Sequence, residues 1–118
     1  MATWCINDNN IVKNKFKKYQ KNHKEDTASV FANLLDLIDF LNSGISFRQV
    51  LQNRSYLKNE KGHVYRIANK KRPNAHETRL YICIEEEQKI VYLLELGDKN
   101  TQPLDIKSSH EKANKILA

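Results

Sequence analysis

Arg66, Lys70, Lys71, Arg72, Arg79 and Lys99 stand at the ends of strand-like runs in the second half of this chain, with His76 among them. A small sheet that carries cations at its strand ends can hold a phosphodiester, because the scaffold fixes where the charges point. Arg79 opens the run RLYICI and can donate two coplanar hydrogen bonds to phosphate oxygens, which lysine cannot. It can equally pair with Glu85 or Glu95 on the sheet surface. Arg66 offers a second cation or an exposed strand residue whose stem lies along the sheet. Tyr81, two residues on from Arg79, can stack a base or simply cover the sheet. His76 and His63 are the imidazoles nearest this region, and His76 is the better candidate for proton transfer, although a histidine in a polar loop is often a bystander.

The elements that must position these groups follow from periodicity. Thr3 to Ile6 fits a short edge strand. Asp8 or Asn9 suits the N-cap of a first helix over 10–22, with Ile11, Val12, Phe16 and Tyr19 on one stripe and lysines on the remainder. A second helix is expected over 26–42, carrying Phe31, Leu34, Leu35, Ile38 and Leu41, widened by Val30 and Leu37 and stopped by Gly44. Ser46 caps a short third helix, 47–53. The period then changes from 3.6 to 2. Runs at 63–68, 79–84 and 89–96 read as strands, the last two joined through the acidic turn Glu85-Glu86-Glu87 as an antiparallel hairpin. Leu80, Ile82 and Ile84 belong on the helices, and Arg79, Tyr81 and Cys83 form the open face. The apolar run 90–96 suits a central strand, Pro73-Asn74 marks a loop, and a short C-terminal helix is expected over 108–117. The fold class is therefore α+β: N-terminal helices packed on a small three- to four-stranded antiparallel sheet, in one domain over 1–118.

Bulk properties narrow the partners. A net charge of +6 invites a polyanion, whether RNA, DNA or an acidic protein. The charge is concentrated in a block from Lys13 to Lys24 and another from Lys61 to Arg79, with a nearly neutral stretch between them. No segment approaches the roughly 18 apolar residues of a membrane helix. Nothing at the N-terminus reads as a secretory signal. Cys5 and Cys83 lack paired spacing, which fits a reducing cytoplasm, and Cys83 in mid-strand is expected to be an inert thiol. No pair of His, Cys, Asp or Glu has metal-site spacing, and three glycines leave no phosphate-binding loop.

The second half resembles the RelE/ParE toxin superfamily, and within it the HigB-like branch of type II toxin–antitoxin systems. The resemblance rests on YRI at 65–67, the basic loop NKKRPNAHET at 69–78, RLYICI at 79–84, the turn EEEQK, and IVYLLELGDKN at 90–100. It implies a RelE-like helix-on-sheet toxin that enters the ribosomal A site and cleaves mRNA, neutralised by a small antitoxin with which it forms an oligomer. The ribose 2′-OH would act as nucleophile, and neither metal nor organic cofactor is implied. Residue by residue, Arg79 matches the family's phosphate-contacting arginine. Lys70, Lys71 and Arg72 match its basic RNA-binding loop, with Lys71 a candidate for the catalytic set as well. Lys99 matches the cation just past the last strand. Better-known branches place a tyrosine or histidine near the C-terminus as acid or base, whereas this chain has only His110 there and no tyrosine after Tyr92. His76 or a lysine must then take that role, or electrostatic stabilisation and ribosomal positioning carry most of the acceleration. A ParE-like toxin acting on DNA gyrase without RNA cleavage, or a degenerate toxin that only binds its antitoxin, are the alternatives.

Overall fold

The computed structural model describes residues 3–71 and 73–118. In chain order the elements are β1 (Cys5–Asn7), α1 (Lys13–Asn22), α2 (Lys24–Asn42), α3 (Phe47–Asn53), β2 (Leu57–Asn59), β3 (Tyr65–Ala68), β4 (Thr78–Glu85), β5 (Ile90–Asp98) and α4 (Gln102–Ile116). The strands form one five-stranded mixed sheet in the order β1-β5-β4-β3-β2. All neighbours are antiparallel except β1, which runs parallel to β5 and pairs only with Ile90 to Tyr92. The sheet is thus wider than the three or four strands expected, because β2 is a three-residue edge too short to show a period. It is mixed where an antiparallel sheet was expected, because the anticipated edge strand β1 runs parallel.

Local chemistry explains most element ends. Ser46 accepts from the backbone N–H of Gln49, whose side chain in turn takes the Ser46 N–H, a reciprocal capping box. Gly44 adopts φ +90°, the left-handed geometry that stops α2. The expected cap at Asp8 or Asn9 is not used. Asn7 and Asp8 instead close the turn after β1, and α1 begins three residues later behind Val12, without a side-chain cap.

α2 supplies the main core. Val30, Leu34, Leu37, Ile38 and Leu41 are buried against Ile67, Leu80, Ile82, Val91, Leu93 and Leu96, with Phe47 and Val50 of α3 at one end. Leu35 is exposed, contrary to the expected stripe, because at 100° per residue it lies roughly 115° from the centre of the buried set. Val12 is exposed as well, since it precedes the helix whose stripe it was expected to join.

The largest departure concerns the other face of the sheet. Arg79, Tyr81 and Cys83 do alternate with Leu80 and Ile82, but their face is not open. α4 begins six residues earlier than the sequence suggested, with Pro103 in its first turn where the missing N–H costs nothing, and it lies across that face. Val64, Tyr81, Cys83, Leu94 and Ala113 make a second core there. The result is three layers, with helices on both sides of the sheet. Among the described residues no helix is long and apolar enough to cross a membrane.

β5 adapts to this second layer through a bulge. Tyr81 pairs with Glu95 and Ile82 with Leu93, so Leu94 is the extra residue. Leu94 and Glu95 consequently both face α4. Two residues on, Gly97 lies so close to the Asp105 carboxylate and the Thr101 hydroxyl that an added Cβ would overlap both. Gly97→Ala is expected to destabilise the fold by about 1–3 kcal/mol, as overpacking does. Chemical denaturation of the purified variant checks this, and an unchanged midpoint would show that α4 shifts freely.

Candidate functional site

The basic loop is held by the first turn of α2. Buried Asp26 accepts from Asn69 Nδ2 at 3.1 Å and from the backbone N–H of His76 at 3.0 Å. Asn69 also takes the Thr78 N–H and donates to the His76 carbonyl, and Ser29 accepts the Lys70 N–H. Both ends of the loop are therefore fixed, while Lys70 and Lys71 stay exposed. Arg72 lies outside the described residues. Asp26 went unnoticed in the sequence because an acidic residue in a helix's first turn is ordinary.

Fixing the loop places His76 against the end of β5. Its Nε2 lies 2.9 Å from Asp98 Oδ2. Asp98 Oδ1 is occupied by the backbone N–H groups of Asn100 and Thr101 at 2.9 and 3.1 Å. Burial opposes ionisation of Asp98, but the His76 contact and these two N–H groups outweigh it and hold the carboxyl below its ordinary range. The imidazole of His23, at the junction of α1 and α2, stacks on His76 with centroids 4.1 Å apart and planes 9° from parallel. Tyr19 packs beside His23, and its hydroxyl shares a hydrogen bond with Thr78 at 2.8 Å. Burial pushes the Tyr19 phenol up to about 12, so it remains protonated.

A cavity of about 170 Å³ opens next to this group, lined by Lys15, Lys18, Tyr19, Asn22, His23, Gly97, Asp98 and Thr101 among others. Its volume is well below the usual range for drug-sized ligands and is of a size for a phosphate group. Lys18 is exposed at its wall, a property of the N-terminal lysine block that composition alone could not distinguish from a solvated helix face. His23 and Asp98 were not singled out in the sequence. They come from segments 75 residues apart, and only the packing of α1 beside β5 joins them.

The other expected residues do not converge on this cavity. Arg79 is turned against α4, its side chain only 13% exposed, bonded to the Gln102 side chain and 3.7 Å from Glu77. The anticipated partners Glu85 and Glu95 are not used; Glu85 instead ties the hairpin turn through the N–H groups of Glu87 and Gln88. Arg66 pairs with Glu60 at 3.0 Å. Tyr81 is fully buried, which corrects the expectation that it presents a ring for base stacking. Lys99 is exposed in the turn after β5. For Arg79 and Tyr81 the physical cause is α4, which covers the face of β4 on which a phosphate was to sit; Arg66 is instead held by Glu60. Cys83 is buried, and burial pushes its thiol up to about 11, an unreactive state.

Behind the cavity lies a charged network. Lys15 Nζ is 3.1 Å from Glu95 Oε1 and 3.2 Å from Asp105 Oδ1; Lys112 and Ser108 bond the other Glu95 oxygen. Burial disfavours the Glu95 carboxylate, yet these donors, led by Lys112, hold its carboxyl below the ordinary range. Burial likewise opposes the charge on Lys15, and Glu95 and Asp105 outweigh it, raising the ammonium.

No protein-family model, curated protein or solved structure matches the chain.

Glu95 and Asp98 have folded-state carboxyls lowered below their unfolded values. Their stabilisation is complete above the unfolded range and is lost as pH falls through the folded one. Thermal melts should therefore be flat from pH 7 to about 5 and decline below that. Glu95→Gln should lower stability at pH 7 and flatten the acid limb; an unchanged pH profile in that variant would remove Glu95 as the source.

Proposed function

We propose that this chain cleaves RNA by transesterification at the cavity beside His76, and that it does so as a toxin of the RelE/ParE type, cutting ribosome-bound mRNA and restrained by a partner antitoxin. The observation that carries the reading is an imidazole, His76, bonded to Asp98 and stacked on His23, two residues that line a cavity also walled by Lys15 and Lys18. The toxin role rests on the resemblance of residues 65–100. The order of helices followed by an antiparallel run of strands agrees with it.

In the proposed step, His76 keeps Nε2 on Asp98 and uses Nδ1 to take the proton of the ribose 2′-OH. The 2′ oxygen attacks the adjacent phosphorus, the bond to the 5′ oxygen breaks, and a 2′,3′-cyclic phosphate remains. The departing oxygen takes its proton from protonated His23 or from water. Lys18 and the neutral Tyr19 hydroxyl offer positive charge and a donor to the phosphorane oxygens. Lys15 is already engaged by two carboxylates and serves to hold the wall. Lys70, Lys71 and Lys99 supply exposed charge along the path of the RNA backbone, so binding should weaken with salt. The nucleophile belongs to the substrate, so this chemistry needs no metal. Arg79 and Arg66 brace the fold in this reading instead of gripping phosphate.

A second reading draws on that last observation. With both arginines engaged inside the molecule, a ParE-like toxin that binds DNA gyrase through protein contacts, or a chain that only binds its antitoxin, would lose nothing.

Induced expression followed by mapping of transcript 5′ ends separates these readings. Cuts at A-site codons are expected, and His76→Ala and Asp98→Asn should each lower cleavage by about 10²-fold or more while retaining the fold. Lys18→Ala should weaken cleavage less. Intact transcripts with a DNA-damage response would favour the gyrase target, and full cleavage by His76→Ala would overturn the site.

A further inference from the structure

We propose that His23, His76 and Asp98 form a binding site for a divalent transition-metal ion of the zinc class. The ion would switch off the cleavage assigned above, and only that second half rests on the proposed function. One ligand atom from each residue lies within 4.8 Å of the others. Two imidazoles and one carboxylate are the donor set that Zn²⁺, Co²⁺ and Ni²⁺ prefer, whereas Mg²⁺ and Ca²⁺ select oxygen ligands.

The Asp98 carboxylate is held from behind, as ligands in metal sites are, and the backbones that carry His76 and His23 are anchored. Asp98 accepts two backbone N–H groups at Oδ1 and turns Oδ2 to His76. His76 donates its backbone N–H to Asp26, and its backbone carbonyl accepts from Asn69. The His23 N–H is bonded to the Tyr19 carbonyl. The fourth coordination position would face the cavity and take water or a phosphate oxygen, so the site is of the open kind.

Binding requires one rearrangement. Lone pairs of parallel imidazoles do not converge, and tetrahedral metal–nitrogen bonds of about 2.0–2.1 Å bring donors to about 3.3 Å from one another. His23 is the ring that must turn, since His76 and Asp98 are already in contact. Its place between two helices, with φ −136° and ψ 56°, leaves the side chain on a non-helical residue at the wall of the cavity. The metal would then displace the proton between His76 Nε2 and Asp98 Oδ2, breaking the hydrogen bond that orients the base and drawing electron density from the imidazole that accepts the proton.

The test uses the full chain carrying Cys5→Ser, because the exposed Cys5 thiol would otherwise compete for soft ions. After chelator treatment, calorimetric titration with Zn²⁺ should give one ion per chain. Titration with Co²⁺ should give the visible absorption of a low-coordinate complex. His23→Gln, His76→Gln and Asp98→Asn should each weaken binding at least about tenfold, and His63→Gln should not. Absence of stoichiometric binding, or His23→Gln and Asp98→Asn binding as tightly as the parent, overturns the site. Where RNA cleavage is present, saturating Zn²⁺ should abolish it and chelator restore it; undiminished cleavage at saturation overturns the regulatory half. Metal binding intact in a chain that cleaves no RNA would overturn the proposed function and leave the metal site standing.

Discussion

The contact of Lys15 with Glu95 and Asp105 is the joint on which this arrangement depends. It and Lys112 offset the cost of burying the Glu95 carboxylate, and Lys15 also bonds the buried carboxylate of Asp105. The three partners come from α1, β5 and α4, so one ammonium fixes a helix from each side of the sheet to the strand between them. Glu95 reaches that position because of the bulge at Leu94, and Asp105 because Gly97 has no side chain. Sequence changes that disturb bulge, glycine or lysine act on a single object.

That joint also decides what the cations of the sheet can do. Once α4 is fastened, the side of β4 bearing Arg79 and Tyr81 becomes interior, and Gln102, Glu77 and Glu60 satisfy the guanidinium groups of Arg79 and Arg66. Positive charge available to a polyanion moves to the rim, in α1, the loop at 69–71 and the turn at Lys99. The histidines lie on that rim as well, where α1 meets the end of β5.

Strong local signals were legible in the sequence. The capping box at Ser46, the stop at Gly44, the hairpin after Ile84 and the alternation along β4 follow from nearest-neighbour chemistry and appear as expected. What stayed hidden depends on packing. The polar stretch around Gln102 carries little apolar periodicity, so the early start of α4 went unread although Pro103 marks it. The side of the sheet that α4 covers cannot be inferred from alternation, which states that two faces differ and not which one is wet. His76 was recognisable as a lone imidazole in a basic loop. Its partners His23 and Asp98 were not, because no spacing rule connects a helix junction, a loop and a strand end. The Gly97-Asp98-Lys99 triplet, noticed for its lysine, owes more to its first two members.

The short margins of the sheet carry a consequence for how the protein behaves among other chains. β1 and β2 each offer only three residues at the edge, with the exposed Lys58 in the middle of β2, and α1 rather than a strand lies alongside β5 beyond Tyr92. An intruding strand finds little continuous backbone to template against. Edges this short, one of them carrying a lysine, blunt the sheet against edge-to-edge pairing with its own copies.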